Sequence, residues 1–383
     1  MPTSRPTLER TGGSLARAPC GRPRSRADSD KRKLCALLGA IDPSLCQVLA
    51  SKEARDGLQQ RMESSVATDQ LWVLKRDVIG GGSNLHSGKA VSFVHRWEEV
   101  VSTVANWTAL GKAGELQWRE GLVQPYMPPF VGKPPYNRKS ELRIFLAVVD
   151  TAPLEIYAYA DINVILATQT FDDTKKVNAS KCMHDTHFGA ACQGYGGGDN
   201  IAAQVDGARK TPRDAGTSLN TDLATYGEGV GWSAAETERI AQRALTLLGK
   251  VMYHQDAAQV LQRHPINRKI AEKKARCFSV IRADLGLSTS LNPVLFEIND
   301  WPWLDTDGSK VQDSIVWRAH RELFQMLGLD VPAVQGRRQA INRDFMGRWR
   351  PLHPALENAR LERSIAGKKE EKKDSSATGN TAE

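Results

Sequence analysis

The segment of residues 277–300, CFSVIRADLGLSTSLNPVLFEIND, limits the possible folds of this chain more than any other segment. Two apolar runs flank a turn-prone sequence, a pattern that predicts an antiparallel β-hairpin. If the two strands pair as a hairpin centred near Ser290 and Leu291, Asp284 lies directly opposite Glu297. The two-residue period of strands places Asn299 on the face that carries Glu297, about 7 Å further along the strand. We therefore expect three oxygen-bearing side chains to gather on one face of a hairpin.

Two carboxylates that face each other across a strand pair repel unless a positive charge lies between them. A divalent cation would supply that charge, and carboxylate and amide oxygens suit Mg2+ that shares its coordination shell with phosphate. Two other interpretations remain open. The acids could be unrelated groups on a surface hairpin, or they could form an acid–base pair as in glycoside hydrolysis, which explains Asn299 less well.

Strand and helix signals are both present along the chain. Branched and aromatic residues indicate strands in LWVLK, GLVQPYM, ELRIFLAVVD and EIYAYADINVILATQTFD. Apolar residues at helical spacing indicate helices in VSFVHRWEEVVSTVANWTAL and SIVWRAHRELFQMLGL. SAAETERIAQRALTLLGKVMYH is predicted to be a helix, because Ser233 and Glu236 are spaced as a capping box at its start. The mixture is typical of an α/β or α+β fold with substantial antiparallel sheet, and we predict α+β.

A lysine at a strand end, Lys75, precedes a glycine-rich loop that could close over phosphates. The loop is not a Walker-type phosphate loop, because Ser83 stands where a glycine is required and Ala90 where Ser or Thr would bind magnesium. Further along, GLVQPYM runs from strand residues into a Pro-rich segment. We interpret it as a hinge where an adenine edge could meet main-chain groups at Gln124 and Tyr126, with a tight turn between domains as the alternative.

Composition divides the chain into segments. Nine Lys or Arg residues face three acidic residues between Met1 and Lys33, and the scarcity of apolar residues predicts disorder there. This stretch is either an organelle transit peptide or a plain solvated tail. The predicted divisions are a disordered basic tail (1–33), a small lobe with Lys75 and its glycine loop (34–125), a larger lobe with the hairpin (126–345) that includes a flexible loop (189–232), and a charged tail (346–383).

The formal net charge of +8 favours an acidic partner, although much of the excess lies in the first 33 residues. We predict no nucleic-acid partner. No membrane partner is expected either, because no apolar run approaches the roughly 20 residues of a membrane-spanning helix. The six cysteines contain no CxxC pair, which is typical of reduced, intracellular thiols.

Taken in order, these segments resemble the tubulin-tyrosine ligase-like family, whose members are ATP-grasp enzymes. WVLK with its glycine loop resembles the family's first ATP-binding lysine segment, VQPYM its hinge, and RKSELRIFLAVV its Arg-Lys-Phe-Asp-Ile-Arg strand. IYAYADINVILAT resembles the Tyr-rich hairpin that follows, and CFSVIRADLGLSTSLNPVLFEINDWP resembles the family's metal-binding hairpin. The resemblance runs from about Leu71 to Leu329, with residues 189–232 unmatched, and implies an ATP-grasp fold with antiparallel sheet and flanking helices.

The resemblance also implies a role for each matching residue. Lys75 and Lys139 would contact ATP phosphates, and Arg143 would help to hold an acyl phosphate and the incoming groups. The other implied ligands are those of the adenine pocket (Gln124, Tyr126, Met127) and those of magnesium (Asp284, Glu297, Asn299). The implied cofactors are ATP and Mg2+. The implied reaction joins a free amino acid to tubulin or another acidic protein tail through an acyl phosphate, in the cytoplasm and beside the cytoskeleton.

Several positions depart from the family pattern. Glu141 stands in place of its Asp, Ile165 in place of an arginine in the Tyr-rich hairpin, and His184 and Asp185 in place of a Thr-Asn pair. The region before Lys75 is also shorter than in complete members. These departures leave the amino acid and its acceptor open. Two alternatives follow: a catalytically inactive relative that binds nucleotide or microtubules, and a ligase for small-molecule or peptide carboxylates.

Overall fold

A computed structural model describes residues 17–19, 34–36, 38–39, 45–65, 70–76, 91–107, 118, 120–151, 154–167, 170–172, 219–254, 276–299, 310–327 and 346–352. The helices in these ranges are α1 (Lys52–Ser65), α2 (Trp97–Asn106), α3 (Leu223–Val230), α4 (Ala234–Met252) and α5 (Lys310–Met326). The strands are β1 (Arg17–Pro19), β2 (Gln47–Val48), β3 (Trp72–Arg76), β4 (Val91–Val94), β5 (Gly121–Pro125), β6 (Ser140–Thr151), β7 (Leu154–Tyr159), β8 (Asn163–Leu166), β9 (Leu219–Asp222), β10 (Arg276–Leu287), β11 (Pro293–Asn299) and β12 (Trp349–Pro351). None of the helices described is long and apolar enough to cross a membrane. Helices combined with mainly antiparallel sheet confirm the predicted α+β class.

The larger sheet is built around two long antiparallel strands, β6 and β10. β11 pairs with β10 to complete the predicted hairpin, and β8 and β7 pair in turn with the two halves of β6. β9 pairs with β8, β12 with β7, and β1 runs parallel to β10. Because β6 and β10 have neighbours on either side, their side chains lie in the most enclosed part of the sheet.

The side chains of β6 alternate between two environments. Leu142 and Leu146 pack in a core cluster with residues of α3 and α4 on one face of the sheet. Phe145 points to the opposite face and packs in a second cluster with residues of α5. Glu141 and Arg143 share this opposite face with Phe145 but lie outside its apolar cluster. One end of this face is therefore apolar, and the other end is polar.

A second, smaller sheet has the strand order β2-β5-β3-β4. Trp72 and Leu74 pack against residues of α1 and α2 on one of its faces. Lys75 lies on the other face, where it pairs with Leu122 of β5. Since Leu122 belongs to the core cluster of the larger sheet, the Lys75 face is turned toward the larger sheet.

Local sequence signals explain two of the boundaries. The hydroxyl oxygen of Ser233 accepts a hydrogen bond from the Glu236 N–H at 3.2 Å, which is half of the predicted capping box. In the hairpin turn, the Ser288 N–H donates to the Asn292 carbonyl oxygen at 2.9 Å. Leu291 completes this turn in the left-handed region, with φ of 58°, a conformation that non-glycine residues adopt mainly in turns.

The predicted flexible loop at 189–232 is wrong over its last part. Residues 219–230 form β9 and α3, and α3 begins at a capping carboxylate, because Asp222 Oδ1 accepts from the Thr225 N–H at 2.9 Å. Leu223 and Tyr226 are buried in the core of the larger sheet. The prediction relied on glycine content and was wrong here, because two buried apolar side chains suffice to order a short helix. Residues 189–218 lie outside the described residues.

Both predicted tails also contain structure. In the tail predicted to be disordered, residues 17–19 pair with β10. In the predicted charged tail, β12 pairs with β7, and the side chain of Trp349 is fully buried. Burial of a tryptophan outweighs the charge of its neighbours, because aromatic side chains bury more apolar area than any other type. The remaining residues of both tails lie outside the described ranges.

The segment predicted as a helix from Val91 divides into a strand and a helix. Residues 91–94 pair with β3, and α2 begins only at Trp97. Pairing with an established strand overrides the helical spacing of so short a run.

Cys35 and Cys46 form a disulfide, so the predicted reduced thiols are wrong for this pair. Both residues are buried in the core cluster of the larger sheet, with Cα atoms 5.2 Å apart. The pairing depends on how the chain folds around these residues, which cysteine spacing does not reveal.

Candidate functional site

The polar end of the β6–β10 face is built around Asp284. Asp284 pairs with Arg143 in the strand register, and Arg143 Nε donates to Asp284 Oδ1 at 3.0 Å. Arg143 Nη2 also donates to Glu141 Oε1 at 3.3 Å. All three residues are buried. One guanidinium group thus bridges two carboxylates where water is largely excluded and each charge needs a partner.

Two further side chains contact Asp284. Arg282 precedes it by two residues on β10 and therefore shares its face, and Arg282 Nη2 lies 3.0 Å from Asp284 Oδ2. Asn299 of β11 donates its Nδ2–H to the same oxygen at 3.2 Å. We refer to Glu141, Arg143, Arg282, Asp284 and Asn299 as the Asp284 cluster. The positive charge expected beside Asp284 is present in this cluster as two guanidinium groups.

Glu297 faces the cluster from β11. The predicted register is confirmed, because Asp284 pairs with Glu297 and Arg282 pairs with Asn299. The Glu297 side chain is half-buried, and within the described residues it forms no hydrogen bond or ion pair. A half-buried carboxylate without such a partner is available to bind a cation.

The residues present fit a Mg2+ ion in the type of donor they offer. Glu297 supplies a carboxylate, and Asn299 directs its amide nitrogen at Asp284, which leaves its carbonyl oxygen available. Asp284 fits less well, because Arg143 and Arg282 lie against both of its oxygens. Across the described ranges, no three His, Cys, Asp or Glu side chains form a group that could hold a metal. Water or phosphate oxygens would have to complete the shell.

Lys139 lies at the same end of the larger sheet. Its Nζ is 5.2 Å from the ring centroid of Phe296, a cation–π distance. The β10–β11 register shifts beside Asp284, which inserts Phe296 as an extra residue in β11. The ring lies over Gly286, where the Cβ of any other residue would collide with it. A glycine at this position of β10 is therefore required for Phe296 to reach Lys139.

The polar row continues beyond Arg143 on β8 and β9. Asn163 pairs with Arg143 in the strand register, and Asn163 Nδ2 donates to Asn220 Oδ1 at 3.0 Å. Both asparagines are fully buried. Ile165, which stands where the family pattern has an arginine, is buried with Glu141 and Asn220 as its register partners. On β8 and β9 the polar row therefore consists of two side-chain amides, with the aliphatic side chain of Ile165 beside them.

A buried tyrosine in the core cluster on the other face of the larger sheet is protonated at neutral pH. The Tyr226 hydroxyl donates to Ser140 Oγ at 3.4 Å. Burial raises the pKa of Tyr226 to about 12. Tyr226 is thus a structural donor rather than a general base.

The predicted nucleotide residues of the smaller sheet share one surface. Lys75 is half-buried on the face turned toward the larger sheet. Gln124 and Phe93 pair with the same residue of β3 on that face. The Tyr126 ring meets Phe93 edge to face, with centroids 5.7 Å apart. The glycine loop that follows β3 lies outside the described residues.

The main chain of the predicted hinge is partly engaged. The Tyr126 N–H donates to the Leu71 carbonyl oxygen at 2.7 Å, and the Tyr126 carbonyl oxygen accepts from Gln70 Nε2 at 3.1 Å. Adenine could accept a hydrogen bond from the Tyr126 N–H only if the bond from this N–H to the Leu71 carbonyl oxygen were broken. Met127 is 42% exposed, and its N–H makes no hydrogen bond in the part of the chain described. Of Tyr126 and Met127, Met127 is therefore the residue whose N–H is available to donate a hydrogen bond to adenine.

Sequence reasoning missed two residues of this site. Arg282 could have been found, because its spacing of two residues from Asp284 already places both on one face. Phe296 could not, because its position depends on a strand irregularity and on Gly286 across the ladder. The ligand roles of Lys75, Lys139 and Arg143 remain predictions, although the structure places each on a face that fits.

Comparison with protein-family models matches residues 45–188 to the Tubulin-tyrosine ligase family. The match covers less than half of the chain, and it includes every predicted site residue from Lys75 to Arg143. The β10–β11 hairpin lies beyond the matched range. A comparison with curated proteins found no match.

Proposed function

We propose that this chain is an ATP-dependent amine–carboxylate ligase that joins a free amino acid to a carboxylate of an acidic protein tail, because residues 45–188 match the model of the Tubulin-tyrosine ligase family. Tubulin tails are the first candidate acceptor. The net charge of +8 supports an acidic partner through electrostatic steering.

The proposed reaction has two steps. The acceptor carboxylate attacks the γ-phosphorus of ATP, which forms an acyl phosphate and releases ADP. The amine of the second substrate then attacks the acyl carbon, forms the amide, and releases inorganic phosphate and a proton. Both steps concentrate negative charge on phosphoryl oxygens, so cationic side chains that meet those oxygens lower the barrier.

The cationic side chains of the two sheets suit this chemistry. Lys75 on the smaller sheet and Lys139 on the larger one would neutralise the phosphates of ATP. Arg143 is held in a fixed orientation by Asp284 and Glu141. An orientation fixed before the substrate binds is what stabilisation of an acyl phosphate requires.

Glu297 and Asn299, with a smaller share from Asp284, would hold Mg2+. When bound, the ion would draw negative charge from the phosphoryl oxygens. The observation that carries the proposal is the half-buried Glu297 carboxylate, which faces the buried Asp284 in register and makes no ion pair within the described residues. A carboxylate placed in this way for stability alone would be expected to take one of the nearby guanidinium groups as its partner.

The test is ADP release by the full chain with ATP, Mg2+, tubulin and mixed amino acids, followed by mass spectrometry of the tubulin. Glu297→Gln should lower ADP release at least about a hundredfold, because it removes a charge that acts in the transition state. Glu98→Gln is the matched control, since Glu98 is an exposed glutamate on α2. Equal ADP release by the Glu297→Gln variant and the wild type would refute the metal assignment. Turnover that does not need tubulin would indicate a ligase for small-molecule or peptide carboxylates.

A second candidate, a catalytically inactive relative that binds nucleotide or microtubules, is favoured by Ile165. This aliphatic side chain is buried beside its register partner Glu141 of the Asp284 cluster, where the family pattern has an arginine. A thermal shift with ATP and Mg2+ separates the candidates when it is paired with incorporation assays for all twenty amino acids. ATP binding without any incorporation would favour the inactive relative.

We propose a cytoplasmic location beside microtubules, which follows from the proposed acceptor. The Cys35–Cys46 disulfide argues against it, because persistent disulfides are rare in the cytosol. Cell fractionation combined with thiol labelling under non-reducing conditions tests the location. An organelle fraction that carries the oxidised pair would overturn it.

A further inference from the structure

Arg282 is the member of the Asp284 cluster to which the proposed reaction gives no role. Its Nη2 lies 3.0 Å from Asp284 Oδ2, and its side chain is 13% exposed. The Arg282 Nε is buried and has no hydrogen-bond partner within the described residues. The guanidinium group is therefore held at the edge of the site with one donor in use and another without a partner.

Arg282 lies where a divalent cation would have to approach Asp284. The Asp284 Oδ2 atom already faces Arg282 and accepts from Asn299. Arg143 lies against the other carboxylate oxygen at 3.0 Å. A cation that binds Asp284 must displace one of these donors or lie beside a guanidinium group, and like charges at this distance repel strongly where little water screens them.

We propose that Arg282 is a built-in counter-cation of this site, which competes with divalent metal for Asp284 and reduces the dependence of nucleotide binding on Mg2+. The part about nucleotide rests on the proposed function, whereas the competition for Asp284 does not. Arg282 supplies positive charge next to the phosphates through its own side chain. The ion is then needed at Glu297 and Asn299 only.

The competition is tested with Mn2+ alone, whose binding to the full chain is followed by electron paramagnetic resonance. Arg282→Gln should bind Mn2+ at least about tenfold more tightly than the wild type, because it removes a positive charge from the metal site. Arg239→Gln, which changes an exposed arginine on α4, should leave the affinity unchanged. Arg282→Lys, which keeps the charge, should stay close to the wild type. Unchanged or weaker Mn2+ binding by Arg282→Gln overturns the proposal.

The consequence for nucleotide is tested by calorimetry of ATP binding with Mg2+ and with EDTA. We expect the wild-type affinity to change less than about tenfold between the two buffers, and Arg282→Gln to widen that difference at least about tenfold. The wild-type measurement needs no variant, so it decides the matter even if Arg282→Gln does not fold. A large Mg2+ dependence in the wild type would overturn the claim about nucleotide. Absence of ATP binding in both buffers would refute the proposed function, and the Mn2+ experiment would still decide the role of Arg282.

Discussion

Two groups of buried charges in this protein differ in how they are balanced. On β3 of the smaller sheet, Arg76 Nε donates to Glu120 Oε2 at 2.8 Å, and the Arg76 guanidinium carbon lies 5.4 Å from the Trp107 ring centroid. In the larger sheet, the Asp284 cluster sets two arginines against Asp284 and Glu141, with Glu297 as a further carboxylate facing them. Among the described residues, the first group pairs one cation with one anion, which we call the closed pair, and the second has a carboxylate left over.

The difference separates stability from function. The cation and the anion of the closed pair neutralise each other and leave no net charge to attract a ligand, so we expect Arg76 and Glu120 to serve the fold. An open cluster keeps an uncompensated carboxylate next to fixed guanidinium groups, an arrangement that favours ligands carrying both cation and phosphate. Removal of a charge from the closed pair should therefore lower the stability of the fold. Removal of a charge from the Asp284 cluster should lower the rate of the reaction.

The largest expected effect is on stability at the closed pair. Glu120→Gln should lower the free energy of unfolding by about 3–5 kcal/mol, because it leaves the buried Arg76 charge without its carboxylate. Urea denaturation followed by circular dichroism measures the change. ATP affinity of the folded fraction should match the wild type.

Two controls sharpen this result. Glu238→Gln on the exposed side of α4 should change the stability by less than about 0.5 kcal/mol. The double variant Arg76→Met with Glu120→Leu should recover most of the loss, since apolar residues replace both charges. Failure of the double variant to recover would mean that the pair has a role beyond mutual neutralisation.

A smaller effect on stability, with a larger one on activity, is expected from Arg143→Lys. The lysine keeps the charge but loses the planar fork that reaches Asp284 and Glu141 together. We expect a loss of about 1–3 kcal/mol in stability and a drop of at least about tenfold in kcat for ADP release. Arg76→Lys is the matched variant at the closed pair, and it should leave kcat unchanged. An equal drop in kcat for the two lysine variants would remove the distinction between the groups.

The hairpin shows what sequence could predict about this site. Alternation and a turn signal predicted Asp284 opposite Glu297, and this pair is present. The extra residue Phe296, which the sequence pattern did not predict, shifts the register beside Asp284 and is part of what produces the pair. Alternation could also have placed Arg282 on this face. The charge pairing itself could not be predicted, since Arg143 lies far from Asp284 in the sequence and meets it only through the β6–β10 ladder.

The failures elsewhere share one physical cause. Residues 17–19, β9 and β12 gain their structure by pairing with strands distant in sequence, and local composition carries no sign of such partners. The Cys35–Cys46 disulfide likewise depends on tertiary proximity. Sequence patterns therefore predicted elements that are stabilised locally and missed those that are stabilised by distant partners.

The smallest expected effect concerns a half-buried histidine at the apolar end of the face that carries the Asp284 cluster. Burial lowers the pKa of His320 below its ordinary value, and the hydrogen bond from Nδ1 to the Val316 carbonyl oxygen opposes the shift. Its Nε2 is buried without a hydrogen-bond partner among the described residues, next to Phe145 and Phe324. Protonation would therefore place an unpaired N–H in an apolar pocket.

The sign of the pH effect follows from this lowered pKa. Below about pH 6.5 the unfolded chain takes up a proton on His320 more readily than the folded chain. The contribution of His320 to stability is therefore complete above that pH and declines as the pH falls toward the folded pKa. Urea denaturation between pH 7.5 and pH 5.5 should show a decline in the wild type and a shallower one in His320→Asn. If stability fell equally steeply with pH in the wild type and in His320→Asn, another group would cause the decline. If ATP affinity fell together with stability, the apolar end of this face would have to be coupled to the Asp284 cluster.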